Sequence, residues 1–441
     1  MKRFLIFALL VLALPVAAWA QAAPKAASNG SVTDLGSLGQ QGSIAYAVSA
    51  KGEVVVGASI ANVPQQYWRA FRWTVAGGIQ DLDTNSNDSV YAHANGVSAD
   101  TNVVVGDFGR YPDCNPNCAF LWTVAGGFDL LYPPTGWYAP VATGVSKDGG
   151  VLVGYGQQAS GFHSFRWTGV NGMVDIGALK GGTGSQAFGV SQDGKVVVGS
   201  SGAADGSTHA YRWTQAGMTD LGFFAGGDYS EARGASTNGS VVVGSATTQG
   251  AYYPIAFRWT KATGKVALGV LPSKWWSVAT GVSADGKTVV GYSGQNCCDW
   301  EAFRWTAATG MQSVNDWLAD VGVNATGLNF YSAYAVTANG NGVVGQLTSG
   351  DACLALVKAN KTATPTYSPK PGTYHSAQSV TINDMAPNAA IYYTTDGTTP
   401  TTNSTPYTGP VQVSVTTTIK SIAVAHGYPK SAVATGVYKI Q

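Results

Sequence analysis

Charge is scarce in this chain. Its 441 residues include 25 Lys and Arg and 24 Asp and Glu, with a formal net charge of +1. No basic stripe follows a phosphate backbone and there is no acidic tail, so nucleic acid is not an expected partner. Histidine is as rare. His93, His163, His209, His375 and His426 form no HExxH or i, i+4 pair that could ligate a metal. No Gly-rich phosphate loop lies between a strand and a helix, and no G-x-S-x-G elbow is present. Beyond the N-terminal segment no convincing amphipathic helix is read. No cofactor and no metal are therefore expected. No later stretch reaches about 18 unbroken apolar residues, which predicts no membrane span after that segment.

Glycine (57 residues) and aromatic rings are abundant instead. Gly, Val, Thr and Tyr with few Lys and Glu indicate an all-β chain rich in turns. Lys2-Arg3, an apolar run from Phe4 to Val16 and Ala18-Trp19-Ala20 read as a signal peptide over residues 1–20. The expected location is secreted, periplasmic or the exterior of the cell envelope. Five Cys in an exported chain is an odd count. Cys114 and Cys118 frame a short Cys-Asn-Pro-Asn-Cys loop, for which an oxidising compartment predicts a local disulfide. Cys297-Cys298 could bridge or stay reduced, and Cys353 takes an aromatic slot as a small buried hydrophobe.

The chain is organised by a repeat. Gly189 to Gly199 reads as strand, Asp-Gly turn and strand. A third strand follows at Tyr211-Arg212-Trp213, and a fourth at Asp220-Leu221-Gly222. The hairpin recurs from Val48, Val97, Val145, Val190, Ala235, Val282 and Val336. The third-strand Trp recurs at 73, 122, 167, 213, 259 and 305, with Cys353-Leu354-Ala355 as a degenerate seventh copy. A period near 45 with four strands per unit predicts a propeller blade. The seventh unit lacks its own fourth strand, while Val32-Thr33-Asp34-Leu35-Gly36 stands alone at the start. The N-terminal strand is therefore expected to complete blade seven and close the ring. The propeller is assigned to residues 31–358. Its strand Trp residues are assigned to the core. Its strand Arg residues (Arg72, Arg166, Arg212, Arg258, Arg304) invite pairing with fourth-strand Asp where one is present, as at Asp81, Asp175 and Asp220; Ala267 faces the Arg258 strand and Asp129 the Leu121 strand, so the pairing is not general.

Val-Ser-x-Asp-Gly-x-x-Val-Val-Gly, Ala-Phe-Arg-Trp-Thr and Asp-Leu-Gly, recurring in fixed order, resemble the HAF-type extracellular repeat family. That resemblance implies secretion and supplies no catalytic residues. From residue 365 the pattern stops. After a linker at 359–364, residues 365–441 alternate apolar and polar positions as a small antiparallel sandwich does. Ile391 to Pro400, Pro406 to Pro410 and Thr418 to Ala423 resemble the chitobiase/β-hexosaminidase C-terminal domain. This resemblance implies an accessory Ig-like domain appended to carbohydrate-active or surface proteins.

In a propeller, the loops joining second to third strands and one blade to the next share a face. Here they are long and aromatic. Trp68, Tyr91, Trp137, Tyr138, Tyr229, Tyr252, Trp275, Trp276 and Trp300 are the candidate ligand-binding residues, with Tyr67, Tyr111, Phe162-His163, Tyr253 and Tyr331 beside them. Asp228/Glu231 and Asp299/Glu301 are carboxylate pairs a glycosidase could use. Glu231 and Arg233 with His163 would be its groups at the ring mouth. Asp83 to Asp88 mimics a calcium loop but lacks its Gly and its final Glu. The expected function is non-catalytic recognition of a polysaccharide or glycoconjugate. A polysaccharide-degrading hydrolase or lyase and a cell-surface scaffold for a protein partner are the alternatives.

Overall fold

The computed structural model describes residues 29–39, 41–61, 67–82, 89–110, 114–250, 252–296, 299–357, 364–384, 389–424 and 430–441, with backbone only at 89–90, 110 and 114–117. The signal segment, Tyr111, Cys297-Cys298, the calcium-like run from Asp83 and nearly all of the linker lie outside the described residues.

Seven four-stranded antiparallel sheets form a propeller. Blade 4 shows the plan, with strands Ser185–Val190, Val197–Gly202, Thr208–Thr214 and Gly217–Gly222 running from the axis outward. The inner strands of the other blades are Ser43–Val48, Ser89–Val97, Tyr138–Val145, Ser230–Ala235, Trp276–Val282 and Phe330–Val336. Each touches the next, and the last touches the first, so the ring is closed. Closure comes as expected. Gly30–Gly36 pairs antiparallel with Ala352–Val357, setting Asp34 opposite Cys353 and Val32 opposite Ala355. Cys353 is fully buried, and burial pushes its thiol well above the ordinary value.

The repeat motif is explained by packing. The second-strand Val residues are buried between blades. The Gly that follows them is needed because a Cβ there would overlap the inner strand's carbonyl: Val278 O at Gly291, His93 O at Gly106. The same Cβ would meet the third-strand ring, Phe303 or Phe120, which lies against it fully buried. The motif serine closes the turn. The Ser191 hydroxyl donates to Asp193 Oδ1 (2.5 Å) and accepts from Val196 N–H (3.0 Å), while Lys195 N–H donates to the same carboxylate (3.1 Å). No polar group of this turn is stranded.

Three expectations are corrected. The most deeply buried ring is the third-strand Phe or Tyr, whereas Trp122, Trp167, Trp213, Trp259 and Trp305 are half-buried and only Trp73 is buried. The strand Arg residues do not pair with fourth-strand Asp. Arg166, Arg212, Arg258 and Arg304 donate to the backbone carbonyl of Gly194, Gly239, Gly286 and Gly340 in the next blade's turn. The Asp partners lie three residues earlier, in Arg69–Asp81, His163–Asp175 and His209–Asp220, because that position shares a sheet edge with the fourth strand. Cys114 and Cys118 both lie on the third strand of blade 2, Cys114–Thr123, rather than flanking a loop.

A helix is also present, Val314–Asp320. Its cap Ser313 accepts from Asp316 N–H (3.0 Å), and Val314, Trp317 and Leu318 are buried. Seven residues give too few turns for a periodic pattern to register. The C-terminal unit is a two-sheet sandwich with Val380, Ile382, Val411, Val413, Ile419 and Tyr438 in its core. It is not wholly antiparallel: Gly372–Tyr374 runs parallel to Ala434–Ile440, since the chain crosses from the other sheet before entering this one.

Candidate functional site

Each inner strand carries a bulge at the x of Ala-x-Gly/Ala-Val-Ser. The ladder shifts there in every blade, for example between Ala45 and Ala47 and between Ala232 and Gly234. A bulge re-aims its side chain. Tyr46, Asn95, Thr143, Phe188, Arg233, Thr280 and Tyr334 accordingly ring the axis, lining a channel of 370 Å³ that continues past Val97, Val145 and Val190 toward the Asp-Gly turns. Of this ring, sequence reasoning reached Arg233 alone. Its signal was a single variable position inside an otherwise repeated motif.

One register step nearer the loop face lies a second, also variable layer. There His93 is paired opposite Asp107, Val141 opposite Tyr155, Glu231 opposite Ser245 and Val278 opposite Tyr292. Asp107 is 6% exposed and is held by His93 Nδ1 (3.1 Å) and Asn95 Nδ2 (2.8 Å). Glu231, also 6% exposed, accepts from Tyr229 Oη (2.9 Å), Arg233 Nε (2.5 Å) and Ser245 Oγ (3.4 Å). Burial works against the Arg233 charge, but Glu231 outweighs it and the guanidinium stays charged. Tyr229 is pushed up by burial and by Glu231, and Tyr292 is pushed up to about 12, mainly by burial.

The loop-face aromatics divide into two groups. Trp276 and Trp300 are packed. Trp300 lies stacked between Tyr292 (4.8 Å) and Tyr331 (5.3 Å), with Trp276 edge-on at 5.6 Å. Together with Tyr253, Pro254, Val278 and Asn296, the rings of Trp276, Tyr292 and Trp300 line a pocket of 390 Å³ between blades 5 and 6. Trp275 is 57% exposed and Tyr252 89%, each next in the chain to a residue that lines this pocket. Trp68 and Tyr91 gather around His93 (6.4 and 5.7 Å). Trp137 packs within blade 3 near His163, and Tyr138 is exposed.

The carboxylate pairs do not converge as pairs. Glu231 faces the axis, while Asp228 accepts from the Thr247 hydroxyl (3.0 Å) and Asp299 is bound to Lys274 (2.7 Å). His163 does not join Glu231 and Arg233. It links Ser160 Oγ (2.8 Å) to Asp175 (3.0 Å), the connectivity of a nucleophile, a base and an orienting acid. Blade 4 repeats this array as Ser207–His209–Asp220, and blade 1 places Arg69 against Asp81. Repetition at one sheet position, with Arg able to replace His, marks it as a brace between the third and fourth strands.

Residues 369–435 match the family described as chitobiase/beta-hexosaminidase C-terminal domain. The C-terminal unit is such a domain. Over 45 residues the chain is 51% identical to an endoglucanase of Clostridium saccharobutylicum, a match covering 10% of either protein. Among solved structures, an oligogalacturonate lyase in complex with manganese aligns over 75% of this chain and 94% of its own, with 12% identity and a TM-score of 0.48. TolB from Acinetobacter baumannii aligns over 58% of this chain and 62% of its own, with 13% identity and a TM-score of 0.42.

Proposed function

We propose that the protein is an exported, non-catalytic binding protein that holds a polysaccharide or glycoconjugate on the loop face of its propeller. The reading rests on one observation: Trp275 and Tyr252, strongly exposed, stand next in the chain to Trp276 and Tyr253, which line a pocket together with Tyr292 and Trp300. Exposed flat rings beside a preformed aromatic pocket suit the apolar faces of sugar rings. Glu231 and Tyr229 adjoin Tyr292 and offer hydrogen-bonding groups for sugar hydroxyls. The C-terminal domain acts as spacer or second contact, so that two weak sites on one chain gain by effective concentration. The HAF-type character of the repeat and the signal-like N-terminus accord with a role outside the cytoplasm.

The test is retention of the mature chain on insoluble polysaccharides, chitin included, with released reducing ends followed in the same tubes. Retention without release, weakened by Trp275→Ala, is the expected result. Release of sugar ends would overturn the non-catalytic reading and direct attention to Glu231. Absence of retention on every glycan would favour a protein partner on the same face.

A further inference from the structure

The axial channel is a second cavity, with a lining unlike that of the aromatic pocket. Arg233 is the one charged residue among those that line it. Its guanidinium is built into place from two sides. Glu231 holds Nε at 2.5 Å, and the Phe188 ring lies under the charged carbon at 5.7 Å. Glu231 is in turn fixed by Tyr229 and Ser245, so the plane of the fork is set before any ligand arrives. Among the described residues the two terminal nitrogens, Nη1 and Nη2, take no hydrogen bond. The channel hydroxyls of Thr143 and Thr280 donate to the next blade's backbone, at Ala187 O (2.9 Å) and Ala333 O (2.8 Å).

We propose that this channel is a receptor for one small polar carboxylate of monosaccharide size, a hexuronate, bound end-on by Nη1 and Nη2 of Arg233. A planar fork with two parallel donors matches a carboxylate in geometry and charge. Of the carboxylates in the neighbouring layer, Glu231 is paired with Arg233, and Asp107 is hydrogen-bonded by His93 and Asn95 on blade 2. The rings of Tyr46 and Tyr334, in edge contact at 5.5 Å, give the sugar an aromatic wall, and 370 Å³ lies within the range of small-ligand sites. A neutral sugar offers the fork hydroxyl acceptors but neither the charge nor the paired oxygens of a carboxylate, so the channel favours the acid. This site is independent of glycan stacking at Trp275.

The experiment is calorimetric titration of the mature chain with glucuronate and with glucose, which share a ring and differ in the carboxylate. Glucuronate is expected to bind saturably and glucose at least tenfold more weakly. Arg233→Lys, which keeps the charge and loses the fork, should weaken glucuronate at least tenfold, while Trp275→Ala leaves it unchanged. Equal affinity for the two sugars, no glucuronate binding, or undiminished binding in Arg233→Lys would overturn the proposal. The wild-type comparison of the two sugars decides the matter even if the Arg233 variant does not fold. Phe188→Leu, judged alongside a thermal melt, supplies the second variant and should weaken glucuronate severalfold.

Discussion

Arg212 reaches across the seam between blades 4 and 5, its Nε donating to the Gly239 carbonyl oxygen over 2.9 Å. Arg166, Arg258 and Arg304 make the same reach to the next blade's turn glycine. The motif Arg is thus a ring-forming residue: it ties each blade to the turn of its successor, at the edge where the blades would otherwise splay. A charge-assisted bond to a half-buried carbonyl contributes about 1.5–3 kcal/mol. Arg212→Gln is expected to lower the urea-unfolding free energy by about 1–2 kcal/mol. An unchanged midpoint would show that the seam is held by apolar packing alone.

Gly291 illustrates a different constraint. A Cβ there would overlap Val278 O and the edge of the Phe303 ring. Neither neighbour can retreat, because the carbonyl belongs to an inner strand and the ring is fully buried. Gly291→Ala is expected to cost about 3 kcal/mol, the upper range for overpacking. Gly310→Ala sits at a turn with open space around it but a φ of +68°, so it carries backbone strain alone and should cost less, about 1 kcal/mol. Thermal melts of the two variants, side by side, check that order.

Lys265 gives a pH signature. Its ammonium lies over the buried Phe257 ring at 4.5 Å and donates to Gly222 O, yet burial lowers its pKa from the usual 10.5 to about 8. The folded state therefore loses this proton before the unfolded state does. Between about pH 8 and 10.5 the unfolded chain binds more protons at this residue, so its contribution to stability rises with pH across that window. Lys265→Met removes the charge at every pH. The variant is expected to be more stable than the wild type at pH 7 by on the order of 1 kcal/mol, allowing for partial exposure of the site. The difference should shrink toward pH 10. A difference independent of pH would remove Lys265 as its source.

Much of the scaffold was legible in the sequence because the repeat states the same rule several times over. Asp-Gly turns, Val runs and the displaced Val32 to Gly36 strand led to seven blades and to the way the ring closes. The axial ring was not legible as a ring, although Arg233 was singled out. Repeated residues attract the eye, and Tyr46, Asn95, Phe188 and Arg233 stand at the position that does not repeat. Partner choice was also hidden. Arg212 and Asp220 are near in sequence and opposite in charge, but the β pleat sends the Arg to the next blade and leaves the Asp to His209. The loop aromatics could be found from composition, yet whether a ring is a free surface or a packed one depends on neighbours 30 residues or more away, as Trp300 and Tyr331 show.

That distinction separates two variants that look alike in sequence. Trp275 is mostly exposed, so Trp275→Ala should leave the thermal midpoint within about 1–2 °C of the wild type, as expected of surface substitutions. Its retention on the bound polysaccharide should fall about tenfold, a loss near 1.4 kcal/mol. Trp300 has both faces covered by Tyr292 and Tyr331 and its flank by Trp276. Trp300→Ala removes the centre of that stack, and a loss of about 3 kcal/mol of stability is expected together with any loss of retention. Measuring melting and retention on both variants tells a ligand platform from its support. If Trp275→Ala melts early, or retains polysaccharide as well as the wild type does, the exposed ring is not the platform.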